Sequence, residues 1–216
     1  MFSSSIMCVN QLELKDYIDL FNKYNFGMLH IDIMDGRFVR NIMYGPYIIS
    51  DLRKYTDLKF DIHLMIDKPE YKADMFEFKK TDRVTLHYES SKNLIQAVST
   101  YKKLAGEVYV AINPATPVHV LEEIVSYIDG VLLMCVNPGF YGQQLLPNIP
   151  KKIEKLINFL PRGKGIEIDG HVTDDLFVEY SHAGVKDFVL GTSMLFKGTL
   201  EKTENKIIEL KEYDKQ

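Results

Sequence analysis

The chain has 216 residues, 46% of them apolar and 26% charged, a balance that excludes a disordered, collagen-like or tail-dominated chain. Its net charge is −4, and the 26 basic and 30 acidic residues are mixed along the chain, so no basic stripe marks a nucleic-acid partner. No apolar run reaches the ~18 residues that span a bilayer, the first ten residues lack a basic region leading into an apolar core, and two cysteines, Cys8 and Cys135, cannot build a disulfide framework, so a cytoplasmic protein with no membrane partner is expected.

In chain order, short apolar or β-branched runs alternate with longer amphipathic segments. Strands are expected at 3–7, 28–34, 58–64, 82–87, 107–112, 130–136, 165–169 and 186–191. Helical patterns lie between them. Residues 12–24 place Leu14, Tyr17, Ile18 and Phe21 on one helix face. Residues 44–54 and 68–78 are shorter candidates. Residues 93–104 and 117–128 follow, the second opening on Pro117, which suits a first helical position. Residues 150–160, 174–182 and 200–213 complete the set.

Eight strand–helix units imply a parallel sheet with right-handed crossovers. Eight is the count of a closed (β/α)8 TIM barrel, expected here as one domain over residues 1–216. An open doubly wound sheet is the alternative. Against it, no Gly-rich nucleotide loop follows the first strand, and polar residues gather at the C-terminal ends of several different strands.

The sharpest segment is Leu29-His30-Ile31-Asp32-Ile33-Met34-Asp35-Gly36. Side chains alternate faces in a strand, so His30, Asp32 and Met34 point one way and the isoleucines the other. The isoleucines suit packing against helices. His30 and Asp32 then point into the barrel, where branched aliphatics are the rule. Burying them unpartnered costs several kcal/mol, so a metal ion or a strong hydrogen-bond network must compensate. A hydrogen-bonded core histidine beside a structural aspartate is the plainer alternative for this strand alone.

The next strand repeats the device: Asp61, His63 and Met65 share a face. Two imidazoles and a carboxylate at similar depth on adjacent strands make a divalent-metal half-site. In Ile166-Glu167-Ile168-Asp169-Gly170 the carboxylates again share a face, and Asp169 ends its strand at the end where barrels carry catalytic groups. Capping of the following helix is an alternative for Asp169, weakened because that helix starts later, near Thr173 or Asp174. His30, Asp32, His63 and Asp169 thus offer four ligands for one divalent ion per chain, with zinc, iron, manganese and cobalt all open. Aspartates on either side of a substrate would be base and acid in a proton transfer next to a carbonyl, with the cation stabilising an enediolate.

Two further places suit phosphate. The loop Asn137-Pro138-Gly139-Phe140-Tyr141-Gly142-Gln143 can close over a ligand. Gly170 and Gly191-Thr192-Ser193 follow the seventh and eighth strands, the common phosphate site of barrels. Met34, Met65 and Met134 fall near strand ends. They read either as ordinary core filling or as an apolar floor around the reacting carbon.

The segments LHIDIMDGRFVRN, DIHLM, LLMCVNPGFYGQ and EIDG, in this order and spacing, resemble the ribulose-phosphate 3-epimerase family, from Ser3-Ser4-Ser5-Ile6 to Gly191-Thr192-Ser193. The resemblance implies a (β/α)8 barrel that epimerises a ketose phosphate at C3 with a divalent metal. It implies His30, Asp32, His63 and Asp169 as metal ligands, Asp32 as proton acceptor and Asp169 as proton donor. It places Ser5 and His63 near substrate, makes Gly139, Phe140, Tyr141 and Gly142 the covering loop, and makes Gly170, His171, Gly191 and Thr192 the phosphate turns. It also implies a homo-oligomer.

Four departures stand out. Ser4 and Arg40 replace prolines of the usual pattern, and Tyr141 and His171 replace glycines. Met7-Cys8, His171 and the Gly191-Thr192-Ser193 region with Leu195-Phe196 lean toward an allulose 6-phosphate branch. Val136-Asn137-Pro138-Gly139 leans toward ribulose 5-phosphate. The expected reaction is interconversion of D-ribulose 5-phosphate and D-xylulose 5-phosphate. D-allulose 6-phosphate 3-epimerisation is the alternative, and a non-catalytic sugar-phosphate-binding barrel is a reading of another class. A Schiff-base aldolase needs a lysine at a strand's C-terminal end, whereas Lys59 and Lys186 lie at strand beginnings.

Overall fold

The computed structural model describes residues 1–213. In chain order it contains β1 (Phe2–Ser5), α1 (Leu14–Tyr24), β2 (Met28–Asp35), β3 (Ile42–Met43), α2 (Pro46–Tyr55), β4 (Lys59–Met65), β5 (Arg83–His87), α3 (Leu94–Lys102), β6 (Glu107–Ile112), β7 (Gly130–Met134), α4 (Ile149–Phe159), β8 (Gly165–Asp169), α5 (Asp174–Ala183), β9 (Asp187–Leu190) and α6 (Leu200–Tyr213). Eight strands pair in parallel in the order β1-β2-β4-β5-β6-β7-β8-β9, and β9 returns to β1, so no edge is left open. The result is a closed (β/α)8 barrel. β3 is an addition: two residues antiparallel to the end of β2, with Met34 opposite Met43. No helix among the described residues is long and apolar enough to cross a membrane.

Alternation along each strand sorts the core into two zones. Ile31, Ile33, Ile62, Leu64, Val84, Val110, Val131 and Ile168 face outward and join one continuous apolar cluster with helix residues such as Ile18, Phe21, Ile153 and Leu156. The inward positions are unusually polar: Ser3, Ser5, His30, Asp32, Asp61, His63, Arg83 and Glu167 are all buried.

At the N-terminal end of the barrel Arg83 stacks on Tyr109, 4.1 Å from the ring centre. Its guanidinium lies 3.2 Å from Glu167 and 3.0 Å from Asp187. Tyr109 fits because β7 and β8 both open on glycine; a Cβ at Gly130 or Gly165 would overlap its ring or hydroxyl.

Two expected helices are different objects. Residues 117–128 form a 3-10 turn (Val118–Leu121) followed by further turns. The buried positions there are Val118, Leu121, Ile124 and Ile128; the first three recur every three residues, the 3-10 spacing, before a step of four to Ile128. Residues 68–78 contain two short 3-10 turns, Pro69–Tyr71 and Ala73–Met75. Pro69 and Ala73 are buried and Phe76 packs on the core, but Lys68 enters in left-handed backbone and Lys72, at φ −126°, breaks helical geometry between the two turns.

Candidate active site

β2 and β4 run in parallel with Asp32 paired opposite His63 and His30 opposite Asp61. That register puts two imidazoles and one carboxylate at adjacent depths inside the barrel. Asp169, the last residue of β8, faces them across the lumen. Thr173, not Asp169, caps α5, accepting a hydrogen bond from the Leu176 N–H; Asp169 is free of that role.

The distances are those of a ligand cluster. Asp32 Oδ1 lies 3.2 Å from His30 Nε2 and 3.3 Å from His63 Nδ1. Asp169 Oδ2 lies 4.0 Å from His30 Nε2 and 3.8 Å from His63 Nδ1. One atom from each of the four residues falls within 4.8 Å of the others, comparable to the ~3–4 Å between donors that each stand ~2.1 Å from a common ion.

Hydrogen bonding turns each ring toward this focus. His30 Nδ1 meets Asp61 Oδ2 at 2.6 Å, which turns the ring so that Nε2 faces the cluster. His63 Nε2 meets His87 Nε2 at 2.8 Å, and His87 Nδ1 lies 3.3 Å from Glu89. His30 Nε2 and His63 Nδ1 are buried and make no hydrogen bond; their 3.2–3.3 Å approaches to Asp32 lack hydrogen-bond alignment. A buried polar atom left unmet costs roughly 1–3 kcal/mol, and a cation at the focus satisfies both at once. Two imidazoles and two carboxylates, each imidazole held from behind, are a donor set suited to a divalent ion.

Charge is distributed unevenly. Burial alone favours neutral Asp32, but His30 and His63 outweigh it and hold Asp32 well below the usual carboxylate range. Burial pushes Asp169 up to about 6, with His30 opposing and Asp32 reinforcing the rise. Burial depresses His30, and the carboxylates of Asp32 and Asp61 reverse this and raise it well above its ordinary value. Two carboxylates on one focus thus differ in their hold on a proton.

Asp32, Asp169, Ser5, Met34, Met65, Met134, Gly139, Phe140, Tyr141, Gly142, Gly170, His171, Gly191 and Thr192 all line one cavity at the C-terminal mouth of the barrel. His30 and His63 lie beneath it, fully buried. Ser5 donates to Asp32 Oδ2 at 3.0 Å. Met34 and Met65 pack with Met7 and Val39, while Met134 sits in a separate cluster with Ala111 and Leu132, so the methionines are not one continuous layer. Lys59 opens β4 and Lys186 precedes β9, both at the end opposite this mouth.

The loop over the mouth is tied at both ends. Gly139 (φ 118°) and Gly142 (φ 81°) take conformations that favour glycine. Gln143 Nε2 donates to the carbonyls of Asn137 at 2.6 Å and Phe140 at 2.7 Å. Asn41 Nδ2 reaches across from the β2–β3 connection to the Gly139 carbonyl at 2.8 Å. Asp35 anchors that connection by accepting from the Arg37, Phe38 and Asp67 N–H groups and from Lys72.

Asp61, His87 and Glu89 support the cluster but lie outside the site residues expected from sequence, while Cys8 and Ser193, the latter expected with the turn after β9, stand on the cavity wall. Asp61 carries a readable signal, since it shares the strand face of His63. His87 carries a weaker one: it ends β5 at the same mouth.

The chain matches the family model described as Ribulose-phosphate 3 epimerase family over residues 1–196. It is 36% identical over 198 residues to the chloroplastic ribulose-5-phosphate-3-epimerase of Arabidopsis thaliana, covering 89% of this chain and 70% of that protein. Identity to the ribulose-phosphate 3-epimerase of Bacillus subtilis strain 168 is 33% over 207 residues, 94% of this chain and 95% of that one. Among solved structures, orotidine 5'-phosphate decarboxylase from Pyrococcus horikoshii OT3 matches with a TM-score of 0.64 at 15% identity, over 98% of this chain and 99% of the other. At that identity the likeness is one of fold alone.

Proposed function

The chain belongs to the ribulose-phosphate 3-epimerase family, and from that premise we propose that it is a metal-dependent epimerase interconverting D-ribulose 5-phosphate and D-xylulose 5-phosphate at C3. Residues 1–216 are read as one catalytic barrel. The observation that carries the proposal is the convergence of His30, Asp32, His63 and Asp169 within 4.8 Å at the barrel mouth, with two buried ring nitrogens that have no other partner.

His30, Asp32, His63 and Asp169 would hold the ion. When bound, a divalent cation supplies Lewis-acid stabilisation of the negative charge that develops on the substrate's oxygens. Asp32, ionised and aligned by the Ser5 hydroxyl, takes the C3 proton on one face. Asp169, with its higher proton affinity, delivers a proton to the other face. In the reverse direction the two exchange roles. Met34, Met65 and Met134 supply apolar surface around the reacting carbon. The loop at 137–143 covers the sugar and excludes water, and the turns at Gly170-His171 and Gly191-Thr192 receive the phosphate through backbone N–H groups.

A second reading, epimerisation of D-allulose 6-phosphate, is favoured by Met7-Cys8, by the Gly191-Thr192-Ser193 region with Leu195-Phe196, and by His171, which occupies a phosphate turn where the usual family pattern carries glycine. Assaying metal-replete protein on both ketose phosphates tests the two together. Faster turnover of ribulose 5-phosphate is expected. Faster turnover of allulose 6-phosphate replaces the substrate assignment, and binding of either without turnover replaces the enzyme by a binding protein.

A further inference from the structure

His171 is the one site residue whose backbone is at odds with its side chain. Its φ is 54°, the left-handed region that residues bearing a Cβ adopt at a cost. Glycine would fit the turn freely, and the preceding Gly170 already takes φ 101°. The side chain present there makes contacts that glycine cannot.

The imidazole sits where three mouth loops meet. His171 Nδ1 lies 3.1 Å from the carbonyl oxygen of Gln143, in the loop after β7. It lies 3.4 Å from Ser193 Oγ, in the turn after β9. A carbonyl only accepts, so the proton is on Nδ1 and His171 donates to Gln143. Gln143 in turn ties the covering loop to itself through Asn137 and Phe140. The His171 Nδ1–H also faces Ser193 Oγ as a second, longer acceptor, so one imidazole bridges the turns after β8 and β9 to the covering loop.

We propose that His171 is a positioning residue that latches the covering loop to the phosphate-binding turns, so that an anion seated on the turns also holds the loop shut. This rests on the phosphate placement given under the proposed function. The Cβ limits the backbone freedom of the turn that receives the phosphate, and the ring transmits that order to residues 137–143. Phosphorylated ketoses are then favoured over their unphosphorylated forms through loop closure as well as through direct contact.

The covering loop carries its own reporter. Phe140 and Tyr141 are 56% and 58% exposed, a pair of adjacent chymotrypsin sites. Limited chymotrypsin digestion of the full chain, with and without inorganic phosphate and with fragment masses read at residues 140–141, follows the latch. In the native protein, phosphate should slow cutting at this pair at least fivefold. His171→Ala keeps a Cβ but loses the ring, and His171→Gly also relieves the backbone. Both should lose most of the protection, and KM for the ketose phosphate should rise about tenfold, more than kcat falls. His171→Gly should unfold at no lower temperature than the native protein, which separates the latch from a folding defect. Undiminished phosphate protection in His171→Ala, with unchanged KM, overturns the latch while leaving the epimerase reading intact. His171-dependent protection in a protein that turns over neither ketose phosphate upholds the latch and overturns the epimerase.

Discussion

His63 and His87 meet through their Nε2 atoms, 2.8 Å apart, with their rings 15° from parallel. Two ring nitrogens at that separation share one proton. Burial pushes His87 down to about 4, with Glu89 only partly opposing, so His87 is neutral. Its Nδ1–H faces Glu89 and its Nε2 accepts from His63. That assignment leaves the Nδ1 lone pair of His63 on the cluster, the tautomer a metal ligand requires.

Acid should therefore weaken the fold through His87. Unfolded, the ring titrates near 6.5; folded, near 4. The unfolded chain binds the proton first as pH falls, so the contribution of neutral His87 is fully present above 6.5 and is lost as pH drops through 4. The loss should reach up to roughly 3 kcal/mol. His87→Gln, which can accept from His63 and donate to Glu89, should show a shallower decline between pH 6.5 and 4 in urea denaturation of the metal-free protein. Parallel declines would remove His87 from the account.

Ser5→Ala removes the hydroxyl that donates to Asp32 Oδ2. A hydrogen bond to a charged group is worth roughly 1.5–3 kcal/mol, so kcat/KM should fall about tenfold or more with metal content retained. A rate within twofold of native would show that Asp32 needs no such alignment.

Asp169→Asn should divide the reaction. Asp32 can still take the C3 proton, but an amide cannot return one to the other face. Epimerisation should drop by a factor of ~10³ or more, while ribulose 5-phosphate in deuterated water still exchanges its C3 hydrogen, as NMR can follow. Near-native epimerisation by Asp169→Asn would disprove the two-aspartate transfer.

Gly165→Ala tests the far end of the barrel. Its Cβ would overlap the Tyr109 hydroxyl, forcing apart the stack on Arg83 and its pairing with Glu167 and Asp187. The expected destabilisation is roughly 2–4 kcal/mol, seen as a lower Tm. Tyr109→Leu in the same chain should restore part of it. No change in Tm would mean that the barrel floor is more pliable than its packing indicates.

The barrel and the cluster are legible in the sequence for one reason: strand alternation. Ile31 and Ile33 against His30 and Asp32, or Ile166 and Ile168 against Glu167 and Asp169, state which side chains turn inward before any coordinate is known. What alternation cannot reveal is which inward residues touch. The pairings of His30 with Asp61 and of His63 with His87 depend on the β2–β4 and β4–β5 registers, set by the whole closed sheet. The segment at 117–128 misleads for a local reason: Val118, Leu121, Ile124 and Ile128 are buried at steps of three, three and four, a pattern that one face of an α-helix also shows. The contact of His171 with Gln143 joins loops 28 residues apart and has no periodic signature at all.

The most direct test is the metal content of purified native protein and of His63→Ala, measured per chain by elemental analysis after dialysis against a mixture of divalent ions. The four-residue site predicts about one ion per native chain and a loss of most of it in His63→Ala, with the fold retained by circular dichroism. A native chain that carries no ion, or a His63→Ala chain that keeps its full complement, would contradict it.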